Sequence, residues 1–177
     1  MTAAGCGPAS TSGPASAPPP GQGDLGLVDA LAQLAFAVHA ALVRIAATHD
    51  LSIVQARLLG ILRDRSPTIT ELSGFLQLDK SSVTGLVDRA EERGLVRRAA
   101  STDDRRSVHV VLTTTGREVI DQAAPTLAGE IAHLVADLSP SQRNRLSVLA
   151  SRVVAADARR RGVDPVEFTP VAHAQVS

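Results

Sequence analysis

The sequence predicts a mainly α-helical domain that carries one small β-hairpin, and three observations predict it. Between residues 24 and 161, apolar residues recur at spacings of three and four, the period of a helix with one buried face. One interruption, residues 95–112, alternates apolar and polar side chains on its return half, as a strand does. Only three residues of 177 are aromatic, Phe36, Phe75 and Phe168, so Leu, Val, Ile and Ala must fill the core.

The chain divides into an arm, a domain and a tail. Residues 1–23 are almost wholly Ala, Gly, Pro, Ser and Thr. Such a composition cannot bury enough apolar surface to offset its ordering entropy, so we expect a disordered arm. Residues 24–161 form the predicted domain. Residues 162–177 contain Pro165 and Pro170 and no helical period, which predicts a loose tail.

Long helices are predicted at both ends of the domain. Residues 24–48 place their apolar residues on one stripe. Residues 114–161 predict two helices, and we expect Pro125 to bend the first of them or to delay its regular start. The second begins at Ser139, where an N-cap, a proline at the first helical position and a capping-box glutamine follow one another.

Residues 52–113 contain three further helix starts, each marked by a capping residue. Two are capping boxes, in which a hydroxyl accepts a free backbone N–H and a residue three positions on reaches back: Ser52 with Gln55, and Thr68 with Glu71. Asp79 is a good N-cap for the third helix, and Gly94 tolerates the left-handed conformation that ends it. Two short helices, 68–77 and 79–93, followed at once by a hairpin, are the order of a winged helix-turn-helix.

The second of these short helices has the exposed side chains that a major-groove helix needs. If Val83, Leu86 and Val87 face inward, small polar groups and cations face outward. The outward residues are Lys80, Ser81, Ser82, Thr84, Gly85 and Arg89. We therefore predict DNA contacts from Lys80, Ser81, Ser82, Thr84 and Arg89, although an ordinary solvated face shows the same pattern.

The predicted hairpin tip, or wing, carries a second set of candidates. Arg105 and Arg106 suit the narrow, electronegative minor groove, and Asp104 can orient a guanidinium by a bidentate pair. The charge balance is modest, because residues 79–106 hold seven cations and six acids. We therefore rely on the arrangement of the charges, and we expect the acids at 88, 91 and 92 to point away from a duplex.

Four stretches form a combined motif across the helix-turn-helix and the wing. They are Glu71-Leu72, Leu78 through Arg89, Glu92 through Val96, and Asp104-Arg105-Arg106 followed by Val108 to Leu112, Thr113 and Gly116. Together they resemble the MarR (multiple antibiotic resistance regulator) family over roughly residues 25–160. The resemblance implies an obligate homodimer joined by the first, fifth and sixth helices, which are residues 24–48 and 114–161. It also implies a recognition helix in each major groove, wing arginines in the minor grooves, and repression relieved by a small phenolic or lipophilic ligand.

The sequence departs from this family pattern at one informative position. Gly85 stands where the family usually has a long polar residue such as arginine, and a glycine inside a helix costs about 1 kcal/mol relative to alanine. We therefore expect specificity to depend more on Ser81, Ser82, Thr84 and the wing. The first helix also lacks a cysteine, which argues against the peroxide-sensing branch, and the chain lacks tryptophan, which argues against a urate sensor.

Other classes of function find little support. The five histidines are isolated in sequence and Cys6 is the only cysteine, so we expect no enzyme, no metal site and no cofactor. His39, beside the apolar stripe of the first helix, is a weak candidate for an effector pocket. No stretch approaches 18 uninterrupted apolar residues and no secretion signal is evident, so we expect a cytoplasmic protein that does not enter a membrane.

Two alternatives remain open from the sequence. The winged helix could bind a protein instead of DNA, or the protein could be a DNA-binding regulator without a ligand. Binding to double-stranded DNA, expected at a pseudo-palindrome with half-sites about one helical turn apart, should weaken steeply with salt. Protein binding should show a shallow salt dependence.

Overall fold

The computed structural model describes residues 25–100 and 108–162. These residues form six helices and one hairpin, as the sequence predicts. The elements are α1 (Leu27–Thr48), α2 (Ile53–Leu62), α3 (Ile69–Leu76), α4 (Lys80–Glu92), β1 (Val96–Ala100), β2 (Val108–Leu112), α5 (Thr114–Leu134) and α6 (Pro140–Arg160). The predicted arm and nearly all of the predicted tail, with Cys6, lie outside the described residues.

The predicted capping residues begin their helices. Complete capping boxes are present at Ser52, Thr68 and Ser139, with Pro140 in the first turn of α6. Asp79 caps α4 by accepting the backbone N–H of Ser82. Each cap satisfies a backbone donor that the helix itself leaves without a partner.

The turn between α3 and α4 depends on a left-handed residue that the sequence did not predict. Gln77 caps α3 in the left-handed conformation, with φ +58°. Gly94, for which the sequence predicts this conformation after α4, also adopts it, with φ +69°. The Ser73 hydroxyl donates to the carbonyl of Leu78 and closes the same turn from inside. The two helices of the helix-turn-helix are therefore joined by only three residues, 77–79.

The wing is a two-stranded antiparallel hairpin fastened to the loop before α3. Val96 pairs with Leu112 and Ala100 with Val108. On its other edge β2 forms a bridge with Thr68, and the backbone N–H of Val110 donates to the carbonyl of Pro67 at 2.8 Å. The β2 edge of the wing is thus fixed to the start of the helix-turn-helix.

The core is aliphatic and lies between α2, α3, α4 and the hairpin. Its fully buried side chains are Leu58, Leu59, Leu72, Leu76, Val83, Val87, Val96 and Val110. The outer helices contribute much less to it. Of the 21 residues of α6, only Ala158 is buried against the described chain.

Of the two effects expected of Pro125, a delayed regular start of its helix is wrong, whereas a bend stays a prediction. The helix α5 begins at Thr114 and runs through Pro125 to Leu134. The ring removes one backbone donor, which leaves the carbonyl of Asp121 without its helical partner. Because Pro125 and Asp121 are both exposed, water can hydrate that carbonyl. The hydroxyl of Thr113 also accepts the N–H of Gly116 and fixes the start of α5.

By length and composition alone, α1 could cross a membrane, which the sequence analysis did not expect. Asp29, Gln33, His39 and Arg44 interrupt its apolar residues, but the helix remains apolar on average. Only Ala41, Ile45 and Ala46 of α1 are buried. A helix that packs in the core of an assembly meets the same criterion.

Candidate nucleic-acid interface

Helix α4 has one buried face and one fully open face. Val83, Leu86, Val87 and Ala90 are buried at the helical spacing, which fixes the rotation of the helix on the core. The opposite side exposes the five α4 residues for which DNA contacts are predicted, and the structure brings them together on one surface. This surface, here called the recognition face, consists of Lys80, Ser81, Ser82, Thr84, Gly85 and Arg89.

The N-terminal turn of the recognition face is organised by Asp79. Its carboxylate accepts hydrogen bonds from the hydroxyl of Ser81, from the backbone N–H of Ser82 at 2.8 Å, and from the Ser82 hydroxyl at 2.6 Å. These bonds, with the Ser81 hydroxyl first, hold the pKa of the Asp79 carboxyl well below its ordinary value. The carboxylate is therefore ionised at neutral pH and keeps both serine hydroxyls in place.

The hydroxyl donors of the recognition face are all used within the helix. Besides the two serines, the Thr84 hydroxyl donates to the carbonyl of Lys80 at 2.8 Å. A hydroxyl has one donor and two acceptor lone pairs, so the three groups present acceptors to their surroundings. Among the residues that the structure describes, the side-chain donors of this face without a partner are the ammonium of Lys80 and the guanidinium of Arg89. Sequence reasoning named these side chains but could not assign donors and acceptors.

The guanidinium of Arg89 lies over Gly85. A Cβ atom built on Gly85 would be 3.3 Å from Nη1 of Arg89. Positions 85 and 89 are one helical turn apart, and long side chains on a helix point toward its N-terminus. The cation of Arg89 thus sits near the centre of the recognition face rather than at its C-terminal end.

An ion-pair cluster joins the recognition helix to the wing. The guanidinium of Arg98 on β1 contacts Asp88 at 2.6 Å and also contacts Glu91, and the backbone N–H of Arg98 donates to Glu91 at 3.0 Å. The hydrogen bond from Arg98 to Asp88, and after it the contact with Glu91, raise the pKa of Arg98 above its ordinary value. Sequence reasoning counted these three charges and expected the two acids to point away from a duplex, but it did not predict their pairing with Arg98. Two acids of α4 therefore face β1, and both pair with the same hairpin arginine, Arg98.

The predicted wing-tip residues lie outside the described residues. Asp104, Arg105 and Arg106 belong to the segment between the paired ends of β1 and β2, Ala100 and Val108. Their assignment to the minor groove therefore stays a prediction. The hairpin base that carries the segment is described, and it adjoins the C-terminal half of α4 through Arg98.

A second feature is a cavity of about 580 Å³ between α1, α2 and α5. Aliphatic side chains form most of its wall, including Ile45, Leu51, Ile120, Leu127 and Ile131. Its polar lining residues are His49, Arg57 and Arg63. His39, the candidate from the sequence, is exposed and does not line the cavity, so its effector role stays a prediction. His49, the C-cap residue of α1, follows Ile45 by four positions and so continues the α1 stripe, but the sequence analysis did not single it out.

The two arginines that line the cavity, Arg63 and Arg57, differ in whether an acid already pairs with them. Arg63 forms a bidentate pair with Asp64, with Nη2 and Oδ2 at 2.8 Å. Arg57 is exposed at one side and forms no ion pair with the residues that the structure describes. The cavity therefore offers an apolar volume with one uncompensated cation at its edge.

A winged helix-turn-helix with an open recognition face defines a class of DNA-binding transcriptional regulators, and comparison with known proteins agrees. The sequence model of the MarR family matches residues 49–107. The uncharacterized HTH-type transcriptional regulator YkoM of Bacillus subtilis (strain 168) is 30% identical over 105 residues, which are 59% of this chain and 68% of YkoM.

Solved structures show the same fold. The apo form of MarR from E. coli superposes with a TM-score of 0.63 at 23% identity, covering 75% of this chain and 99% of MarR. NadR in complex with 4-hydroxyphenylacetate gives a TM-score of 0.63 at 20% identity, covering 76% and 96%. The chain belongs to the MarR family of transcriptional regulators.

Proposed function

We propose that this protein is a cytoplasmic homodimeric repressor that binds a pseudo-palindromic site in double-stranded DNA. Each α4 would enter a major groove, and Arg105 and Arg106 would enter the flanking minor grooves with Asp104 orienting them. The observation that carries this proposal is the recognition face, since four apolar residues bury one side of α4 and leave its acceptors and two cations open. Lys80 and Arg89 supply charge, and Ser81, Ser82 and Thr84 are small enough for base edges to approach.

The exposed apolar residues of the outer helices support the homodimer. Phe36 on α1 and Val153 on α6 are 67% and 59% exposed, and similar residues surround them on both helices. A 21-residue helix with one buried residue has little tertiary packing to stabilise it, and tertiary packing supplies most helical stability in proteins. A second copy of the chain would cover this surface, as the family resemblance implies.

The cavity supports control by a small ligand. Its volume lies within the range of small-molecule sites, and its wall is mostly apolar. Arg57 at its edge favours a ligand with an aromatic or aliphatic body and one anionic group. NadR, which shares the fold, holds such a molecule, 4-hydroxyphenylacetate. We propose an aromatic acid of this kind as the effector that releases DNA.

The test of DNA binding is a salt titration on the promoter region beside the protein's own gene. Binding by a dimer with several phosphate contacts should lose orders of magnitude in affinity between about 50 and 200 mM salt. A footprint should cover two half-sites about 10 bp apart. A shallow salt dependence, or no binding at low salt, would exclude this function and favour a protein-interaction module.

The test of the wing is Arg106→Ala, with Arg159→Ala on α6 as its control. We expect Arg106→Ala to weaken binding to the promoter site strongly, because it removes a cation from the minor groove. The oligomeric state should not change. Equal affinities of the two variants in a band-shift titration would contradict the minor-groove role.

The test of the effector uses 4-hydroxyphenylacetate as the probe. It should raise the Tm of the wild type and weaken DNA binding, since a ligand that prefers one state shifts the equilibrium toward it. Arg57→Ala should reduce both effects, whereas Arg145→Ala on α6, far from the cavity in sequence, should not. A regulator without an aromatic-acid effector would show no change in either measurement at millimolar probe.

A further inference from the structure

Gly85 occupies a position where nothing in the backbone requires a glycine. It lies in the interior of α4, and it is absent from the glycines with positive φ, which are Gly94 and Gly162 among the described residues. Apart from its chain neighbours and the backbone of its own helix, a Cβ atom here would meet one atom within 4 Å, Nη1 of Arg89. Since glycine destabilises a helix interior relative to alanine, its presence calls for a reason outside stability.

Arg89 has no partner among the described residues that would fix its charge elsewhere. Its nearest acidic neighbours in sequence are Asp88 and Glu91, and both contact Arg98 instead. The guanidinium therefore lies free on the recognition face, directly over the gap that Gly85 leaves. A Cβ atom at position 85 would be closer to the guanidinium than an ordinary van der Waals contact, so the guanidinium would have to shift by a few tenths of an ångström.

The other polar groups of the face restrict what can recognise a base. The hydroxyls of Ser81, Ser82 and Thr84 donate their hydrogen bonds to Asp79 and to the Lys80 carbonyl, so toward a base they act as acceptors. A guanine presents two acceptors, O6 and N7, to the major groove and needs two donors side by side. Among the side chains of this face, the planar fork of Arg89 holds two donors side by side in a fixed geometry, whereas the Lys80 ammonium is a point charge on a flexible stem.

We propose that Gly85 and Arg89 form one base-reading unit, in which Gly85 leaves the space that lets Arg89 donate two hydrogen bonds to a guanine in each half-site. The unit rests on the proposed binding of α4 in the major groove. It assigns sequence discrimination to one residue pair. Lys80, a point charge on a flexible stem, is left to contact phosphate.

The experiment is selection of binding sites from a random-sequence DNA duplex library by the full-length protein, followed by affinity measurements on the selected site. We compare the wild type with Arg89→Lys, Arg89→Ala and Gly85→Ala, and use Lys80→Ala as the phosphate-contact control. Melting curves accompany each variant, and Gly85→Ala should melt at or above the wild-type temperature because alanine favours the helix.

The wild type should select a symmetric motif with one strongly preferred guanine in each half-site. Both Arg89 variants should lose that preference alone and weaken binding to the wild-type site about 10- to 100-fold. Gly85→Ala should lower the guanine preference although it folds. Lys80→Ala should keep the motif, weaken all sequences alike and reduce the salt slope by about 1.

Three results would overturn the inference. If the Arg89 variants keep the guanine and lose affinity uniformly with a reduced salt slope, Arg89 contacts phosphate. If Gly85→Ala selects an unchanged motif with unchanged preference, the pairing has no role. If the wild type selects no motif even at low salt, the proposed DNA-binding function fails, and this outcome is distinct from the other two.

Discussion

Gly116 and Gly129 lie on the same helix, but only Gly116 has no room for a side chain. A Cβ atom on Gly116 would be 2.0 Å from the carbonyl oxygen of Leu95, whereas one on Gly129 meets nothing within 4 Å. The carbonyl belongs to the segment that leaves α4, and it also accepts the backbone N–H of Thr113 at 3.1 Å. Gly116 is thus the point at which α5 contacts the end of the recognition helix.

We predict opposite effects of alanine at these two glycines. Gly116→Ala should lower the free energy of unfolding by about 2 kcal/mol or more, because the backbone must shift. Gly129→Ala should raise it by up to about 1 kcal/mol, the difference in helix propensity. Urea unfolding of the two variants measures both. Equal stability of Gly116→Ala and the wild type would mean that this close contact is absent in solution.

Asp79 is the second residue on which local structure depends, and its effect should vary with pH. The depressed pKa means that the carboxylate stabilises the folded state fully above its ordinary value of 3.8, and that this stabilisation is lost as the pH falls through the folded-state pKa. Asp79→Ala should therefore lower Tm by a few degrees near neutral pH. The difference from the wild type should shrink below about pH 4.

Asp79→Asn is the matched variant for this prediction. An amide oxygen can still accept the Ser82 N–H, but it cannot accept from both serine hydroxyls as well. Its Tm should lie between those of the wild type and Asp79→Ala, and should vary less with pH than that of the wild type. A difference between wild type and Asp79→Ala that stays constant down to pH 3 would contradict the assigned cause.

At the scale of residues, the sequence predicted the capping residues of the helices, but not which hydroxyls donate and which accept hydrogen bonds. A capping box is a local rule, since residues three positions apart must meet at a helix start, and Ser52, Thr68 and Ser139 follow it. The left-handed conformation of Gln77 has no such signal, because it is set by how α3 and α4 pack. The same is true of the hydroxyls of Ser81 and Ser82, which donate hydrogen bonds to Asp79.

At the scale of elements, the Arg98 cluster determines how the wing attaches to α4. Its side chains are between 32% and 49% exposed, so solvent screens the ion pairs and each contributes modestly. We predict a coupling free energy of about 0.5 kcal/mol between Arg98→Gln and Asp88→Asn in a double-mutant cycle, falling at high salt. The control cycle pairs Arg89→Gln with Asp88→Asn and should show none. Equal coupling in both cycles would contradict a specific contact.

Periodicity predicted the elements because the spacing of apolar residues along one helix is a property of that helix alone. It failed for relations between elements. The pairing of Arg98 with two acids of α4 requires knowing the strand register, and the course of α5 through Pro125 requires knowing which face is exposed. Counting charges gave a weakly positive segment, whereas the structure shows which charges neutralise each other.

At the scale of the whole molecule, the cavity and the exposed apolar residues of α1 and α6 could not be predicted from the sequence, for a common reason. Both are formed by surfaces from helices far apart in the chain, and no local pattern records which side chains from α1, α2 and α5 meet. His49 lines the cavity and His39 does not, although both lie near the α1 stripe. The sequence analysis expected a dimer only from the family resemblance. The exposed apolar residues of α1 and α6 support the same proposal on physical grounds, because a second copy would remove them from water.

The dimer proposal predicts that charge on one face of α6 will separate the subunits. Leu149 and Val153 are one turn apart on its exposed apolar side, so glutamates at both positions would have to be buried beside a second copy, at a high desolvation cost. Leu149→Glu with Val153→Glu should sediment as a monomer at micromolar concentration and bind the promoter site with greatly reduced affinity, because one half-site then binds alone. Ser151→Glu, on the opposite face of the same helix, should remain dimeric and bind normally. A double variant that stays dimeric would show that α6 does not join the subunits, and a wild type that is monomeric while binding DNA tightly would remove the homodimer from the proposed function.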